Sequence, residues 1–183
     1  MKIKRVRGFI AIFVIALLIL AVIFGYHKIC WFLIANGKEP DHFLIPVEGK
    51  TKLDIRDEFE VISANGKKHH GTDIFAPKGT QIRAAADSII VKVKPEEKGS
   101  IGGNLIYALG GGRILYLYSH LSRFQTGIKR GRQIKAGDII GYVGDTGNAR
   151  GTSPHLHFGM YKINLNPFRF FSKAINPYFY LQK

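Results

Sequence analysis

Five of the seven histidines fall in three short stretches that could do chemistry. His69-His70-Gly71-Thr72-Asp73 sets a histidine and an aspartate four residues apart. Tyr118-Ser119-His120-Leu121 closes an apolar run. His155-Leu156-His157-Phe158 sets two histidines at strand spacing, so that both imidazoles project from one face. Imidazole and carboxylate are the ligands of a catalytic zinc, which takes three protein donors and keeps a fourth position for water. Such a metal brings the pKa of water down toward about 7 and polarises a carbonyl under attack. Further groups must take the proton and stabilise the oxyanion. Three ligands and two more histidines meet that demand. Each stretch alone is weak evidence, since a single strand histidine is more often a core or surface residue and His-x-His arises by chance. Their meeting in one small domain, with Gly71 and Pro154 beside them, carries the metal reading. Cys30 is the only cysteine, so a thiolate metal cluster is impossible and any zinc site must use histidine and carboxylate. An intrachain disulfide is likewise impossible.

The elements that would position these residues are short strands. Residues 88–93 (SIIVKV), 104–109 (NLIYAL), 113–121 (RILYLYSHL) and 138–143 (DIIGYV) are rich in Val, Ile, Leu and Tyr and lie between glycine clusters. The Gly110-Gly111-Gly112 run between two of them suits a hairpin. No segment after residue 25 shows a long apolar period of 3.6 residues. The fold class expected is mainly β, a single compact antiparallel domain with a zinc groove. Residues 76–80 (APKGT), 129–131 (KRG) and 135–138 (KAGD) read as tight turns feeding strands. They lack the Gly-Lys-Ser/Thr ending and following helix of a phosphate-binding loop. Residues 166–183 are rich in Asn, Pro and aromatics. They are expected to pack back on the domain, because Phe168, Phe170, Phe171, Tyr178, Phe179 and Tyr180 would be costly to expose.

The chain of 183 residues has room for one sizeable core and an anchor. Its formal net charge of +14 draws it toward a polyanion: nucleic acid, anionic lipid or an acidic wall polymer. No zinc finger, aromatic RNP motif or basic zipper is evident, so nucleic acid is not an expected partner. Residues 9–25 (FIAIFVIALLILAVIFG) are unbroken apolar sequence covering about 26 Å as a helix, close to a bilayer core. Lys2, Lys4, Arg5 and Arg7 precede them and orient the N-terminus to the cytoplasm. The stretch is too long for a signal peptide and has no small-residue cut site, as Tyr26, His27 and Lys28 follow. A buried core helix would not begin so basic. Trp31 and Phe32 read as an interfacial belt, and Cys30 as an apolar residue at the membrane edge, since His27-Lys28-Ile29 is no lipobox. The organisation expected is a cytoplasmic stub and transmembrane anchor at 1–28, a linker at 29–42, a catalytic domain at 43–165 and the aromatic tail at 166–183. The location expected is the inner, cytoplasmic membrane, with a single pass and the catalytic domain in the periplasm or extracytoplasmic space.

Over about residues 46–163 the sequence resembles the lysostaphin/LytM-type zinc metallopeptidases, which are peptidoglycan endopeptidases. The likeness rests on His69-x-x-x-Asp73, the Tyr118-x-His120-Leu121 strand and His155-Leu156-His157-Phe158. Residues 45–49 (IPVEG), 70–80 (HGTDIFAPKGT), 137–147 (GDIIGYVGDTG) and 176–181 (NPYFYL) are also family-like. The resemblance implies that His69, Asp73 and His157 ligate zinc and that His120 and His155 are the catalytic pair, with no division of roles between them. Only His69 has the four-residue spacing to Asp73, which makes His70 a neighbour. His27 and His42 precede the domain. Residues 53–68 show no clear Gly-x-Arg, an element the family often carries before its first ligand. The implied activity is zinc-dependent hydrolysis of peptide cross-links or bridges in peptidoglycan. The rival is a catalytically silent relative that regulates other wall hydrolases. That reading predicts erosion among the five positions, and all five are intact. A structural zinc in a wall-binding module would call for four protein ligands.

Overall fold

The computed structural model describes residues 25, 29, 32–62, 66–164 and 172–183. The chain divides into two units, Met1–Leu33 and Ile34–Lys183. The expected anchor at 9–25 falls, apart from Gly25, outside the described residues. Among the described residues no helix is long and apolar enough to cross a membrane.

The second unit is built, among the described residues, from ten strands: β1 (Thr72–Phe75), β2 (Gln81–Arg83), β3 (Ser88–Lys94), β4 (Asn104–Gly110), β5 (Ile114–Leu121), β6 (Arg123–Phe124), β7 (Gln133–Ile134), β8 (Ile139–Tyr142), β9 (His155–Ile163) and β10 (Ser172–Ile175), followed by a helix at Pro177–Leu181. The larger sheet has seven strands in the order β1-β9-β5-β4-β3-β7, with β10 also on β9; the smaller is β2-β8-β6. The strand pairs are antiparallel, as the sequence led us to expect. The runs at 88–93, 104–109, 113–121 and 138–143 correspond to β3, β4, β5 and β8. Thr80, Arg132 and Asp138 donate backbone N–H groups three residues back, to Pro77, Lys129 and Lys135, which makes the expected turns.

The core fills the space between the two sheets. Ile74, Ile106, Ala108, Ile114, Tyr116, Tyr118, Leu156, Phe158 and Met160 of the larger sheet meet Ile82 and Ile140 of the smaller one, with Val47 and Val143. Burial of each large apolar side chain contributes about 1.5–3 kcal/mol. These residues alternate along their strands, so the intervening residues face the other side of the larger sheet. There Asp73 pairs with His157 across β1 and β9, and His157 pairs with Ser119 across β9 and β5. One face holds the protein together; the other carries the polar row.

Two segments carry more structure than the sequence alone indicates. Within the linker expected at residues 29–42, the part from Asn36 to Glu39 is docked on the β4–β5 turn. Gly112 donates its N–H to Gly37 O at 2.8 Å, Arg113 donates to Asn36 Oδ1, and Glu39 pairs with Lys162 at 3.0 Å. The approach depends on Gly111 and Gly112, since a Cβ on Gly111 would lie 2.1 Å from the Lys38 oxygen. The tail also gains structure: β10 extends the sheet along β9, and Pro177 with the Asn176 side chain capping Tyr178 N–H starts the helix. On that helix Pro177 and Leu181 are buried, while Phe179 remains 61% exposed, because helical spacing turns it away from the core. Phe168, Phe170 and Phe171 lie outside the described residues.

Candidate metal centre

Three side chains from distant parts of the chain converge on the polar face. His69 Nε2 lies 3.1 Å from Asp73 Oδ1 and 2.9 Å from His157 Nδ1, and His157 Nδ1 lies 2.9 Å from Asp73 Oδ1. Asp73 and His157 are cross-strand partners. His69 precedes β1 and is held by its N–H to Val61 O and its carbonyl to Glu60 N–H. Gly71, between them, is required by space: a Cβ there would stand 2.6 Å from His157 Cε1 and 2.7 Å from Phe158 O.

The donor set fits a metal ion. His69 Nδ1 faces the Glu58 carbonyl at 3.2 Å; a carbonyl only accepts, so Nδ1 carries the proton and the Nε2 lone pair points into the cluster. Burial would raise the Asp73 carboxyl, but the hydrogen bonds and charges of His157 and His69 outweigh it and hold it well below the usual carboxylate range. The same hydrogen bond to Asp73, against the effect of burial, raises His69. An ionised oxygen and two ring lone pairs within 3.1 Å repel one another unless a proton or a cation lies among them. The edges of 2.9–3.1 Å approach the roughly 3.3 Å edge of a tetrahedron with about 2.0–2.1 Å metal–ligand distances. Among the described residues, His69, Asp73 and His157 are the group of three or more such side chains whose ligand atoms lie close enough to share an ion.

His120 and His155 flank this cluster. Their ring centroids are 5.0 Å apart, and His120 lies 6.0 Å from His157. His155 Nε2 is 3.9 Å from Asp73 Oδ2. Each turns Nδ1 to a backbone carbonyl, His120 to Thr146 O at 2.8 Å and His155 to Ser153 O at 2.9 Å. Both therefore donate from Nδ1 and leave Nε2 as the basic nitrogen. Burial, the largest influence, pushes the His120 imidazolium down to about 4, against the Thr146 carbonyl that favours the charged form. His120 is thus neutral near pH 7, with Nε2 unprotonated.

A β-bulge gives His120 its place. Between the pairs Ile106–Tyr118 and Asn104–Leu121, β5 carries one residue more than β4. His120 has φ 65°, and its N–H bonds Gly102 O at 2.9 Å. Regular alternation would put His120 on the core face with Tyr116 and Tyr118. The extra residue puts it beside the cluster and returns Leu121 to the core.

All five expected site residues thus meet in one place. His70 is exposed and sits 6.1 Å from the Phe59 ring instead; His42 is exposed and borders a separate cleft of about 590 Å³; His27 lies outside the described residues. Sequence reasoning missed the Glu58, Thr146 and Ser153 carbonyls that orient three of the rings, and any residue type can supply a carbonyl. It also missed Phe75, whose ring lies 5.2 Å from that of His155.

A compact antiparallel β fold with a histidine–carboxylate cluster on its polar face defines the class of this protein. The model of peptidase family M23 matches residues 67–177, more than half of the chain, and the chain belongs to that family. It is 42% identical over 98 residues to glycyl-glycine endopeptidase ALE-1 of Staphylococcus capitis, covering 53% of this chain and 25% of that protein. It is 39% identical over 92 residues to peptidoglycan DD-endopeptidase ShyC of Vibrio cholerae, covering 50% and 20%. The chain thus spans a quarter or less of the length of these relatives. The catalytic domain of lysostaphin from Staphylococcus simulans superposes with a TM-score of 0.53 at 27% identity, covering 82% of this chain and 90% of that domain.

Proposed function

We propose that this chain is a zinc-dependent endopeptidase that hydrolyses peptide cross-links or bridges of bacterial peptidoglycan. In this reading residues 9–25 hold it in the cytoplasmic membrane, with the folded unit outside the cytoplasm. The observation that carries the proposal is the convergence of His69 Nε2, Asp73 Oδ1 and His157 Nδ1 within 3.1 Å, with two carbonyl-anchored imidazoles alongside. Membership of family M23 and the endopeptidase relatives support the reaction type, and ShyC supports peptidoglycan as substrate. The four cations before an apolar run of seventeen residues support the anchor and its orientation.

His69, Asp73 and His157 would hold the zinc. Bound there, zinc supplies a Lewis acid that polarises the scissile carbonyl and makes a water nucleophilic near neutral pH. The rest belongs to His120 and His155. Each ring, fixed at Nδ1, presents Nε2 to the reacting centre. One takes the proton of the attacking water, and a ring that is protonated donates to the oxyanion and then to the leaving nitrogen. Fixing the rings before substrate arrives lowers the reorganisation needed in the transition state. Four of the cations behind the net charge of +14 precede the apolar run and lie on the cytoplasmic side in this reading; the remaining basic excess concentrates the enzyme near anionic wall polymers.

The test is muropeptide release from purified sacculi by the full chain, with metal analysis of the same sample. About one zinc per chain and zinc-dependent release are expected, and Asp73→Ala or His157→Ala should lose the metal because two ligands bind far more weakly than three. Full zinc in both variants would overturn the ligand assignment. A wild-type chain that holds zinc yet releases nothing from several peptidoglycan types would overturn the enzyme.

A further inference from the structure

The peptide group between Thr146 and Gly147 is used at both ends. Its carbonyl accepts from His120 Nδ1 at 2.8 Å, and its N–H donates to Glu96 Oε1 at 2.8 Å. A trans peptide is a rigid plane with C=O and N–H opposed, so whatever fixes the N–H also fixes the carbonyl. Glu96 reaches it from the β3–β4 loop, and its two oxygens also accept from Arg150 Nη2 at 2.8 Å each. We propose that Glu96 is a positioning residue for catalysis, acting on His120 through this peptide group as a carboxylate–peptide–imidazole relay.

Three observations support the relay. The backbone around Glu96 is tied to the same place: Asn104 Oδ1 accepts from Glu96 N–H, while Asn104 N–H donates to Thr146 Oγ1. The two loops touch backbone to backbone, with Asn148 N–H on Ile101 O at 2.9 Å. A Cβ on Gly147 would lie 2.3 Å from Ile101 O, and one on Gly103 would lie 2.5 Å from Thr146 C. Finally, His120 occupies the left-handed region at φ 65°, a conformation that costs energy for a residue with a Cβ and persists where the surroundings enforce it.

The physical effect has two parts. Geometry comes first: the anchored carbonyl selects the Nδ1–H tautomer and aims Nε2 at the reacting centre. Polarisation is second. A carboxylate on the N–H makes the carbonyl of the same amide a stronger acceptor, since linked hydrogen bonds strengthen one another. Arg150 Nη2 shares Oε1 with the Gly147 N–H and also bonds Oε2, so it steadies the carboxylate while its side chain makes no bond to the Thr146–Gly147 peptide group.

The relay rests on the assignment of His120 to catalysis, but its test is readable without activity. The probe is the His120 ring in ¹H–¹⁵N spectra of the full chain, for wild type, Glu96→Gln, Glu96→Ala and Arg150→Ala. Wild type is expected to show a downfield, slowly exchanging Nδ1–H. Glu96→Gln keeps an acceptor for Gly147 N–H and should shift that proton upfield while retaining the tautomer. Glu96→Ala should mix the tautomers and broaden the signal. Arg150→Ala should change the signal less than Glu96→Ala, because Gly147 N–H keeps its acceptor. Hydrolysis should follow the same order, with kcat falling about tenfold in Glu96→Ala, KM within about twofold of wild type because the contact is not with substrate, and zinc content constant. An unchanged His120 signal in both Glu96 variants would overturn the relay. So would an Arg150→Ala effect as large as that of Glu96→Ala, which would reduce Glu96 to a loop tie. If Glu96→Ala does not fold, the isosteric Glu96→Gln carries the test alone. A wild type that shows the signal but cleaves nothing would reject the enzyme and leave the relay standing.

Discussion

Gly71 marks how tightly the candidate metal centre is packed. Its missing side chain leaves room for the His157 ring, and a methyl group would stand 2.6 Å from Cε1 with backbone on the other side. Gly71→Ala should therefore lower zinc content sharply with all three ligands still present, and metal analysis of the folded variant checks it. Normal zinc in Gly71→Ala would show that the ring can move aside. The flanking histidines should behave oppositely. His120→Ala and His155→Ala should keep most of the metal and lose about 10²–10⁴-fold in hydrolysis each. Because both rings face one reacting centre, the double variant should fall by less than the product of the two. Muropeptide release by the four proteins, with zinc measured alongside, gives the answer. Cleavage at the wild-type rate in either single variant would remove that ring from the mechanism.

Strands β3, β4, β5 and β8 were readable because they gather Val, Ile, Leu and Tyr between glycines. The His155-x-His157 pair could be placed on one face from spacing alone. His120 shows where such reading stops. Period-two alternation sets it with Tyr116 and Tyr118 on the core face, and only the inserted residue opposite Leu105 moves it to the site. A bulge depends on pairing with a strand elsewhere in the chain, so no local pattern announces it. The same holds for β10, whose Ser172–Ile175 sequence is a strand only because β9 offers an edge, and for the docked residues 36–39. Deleting Ser119 should restore regular pairing, move His120 to the site-face position opposite Leu105 and leave Leu121 in the core opposite Asn104. The fold should hold while hydrolysis falls toward the His120→Ala level, because the ring loses its place on the Thr146 carbonyl. A deletion variant that cleaves like wild type would show that the bulge does not position His120. In the next layer, Tyr116 is buried, and among the described residues its hydroxyl has no hydrogen-bond partner. Tyr116→Phe removes an unsatisfied group and should leave thermal stability equal or higher; a fall in Tm of more than a few degrees would mean that the hydroxyl has a partner.

At the scale of the molecule, the docked segment changes where a soluble piece should begin. A fragment starting at Phe43 loses the Gly37–Gly112 and Asn36–Arg113 hydrogen bonds and the Glu39–Lys162 pair. It should melt roughly 2–4 °C below one starting at Ile34, the shift that about 1 kcal/mol produces in a domain of this size. Equal melting temperatures would show that the segment adds nothing to the fold. Topology has a further consequence. Among the described residues, strand β1, with Asp73, pairs in the larger sheet with β9 alone, and β9 pairs directly with β5 as well. His69 and His157 are 88 residues apart, and His155 and His157 open β9. A nascent chain halted before residue 155 owns His69, Asp73 and His120 but lacks the strand that gathers them. The order of synthesis therefore acts as a safety catch: the cluster of His69, Asp73 and His157 cannot assemble until the strand that opens with His155 has been made.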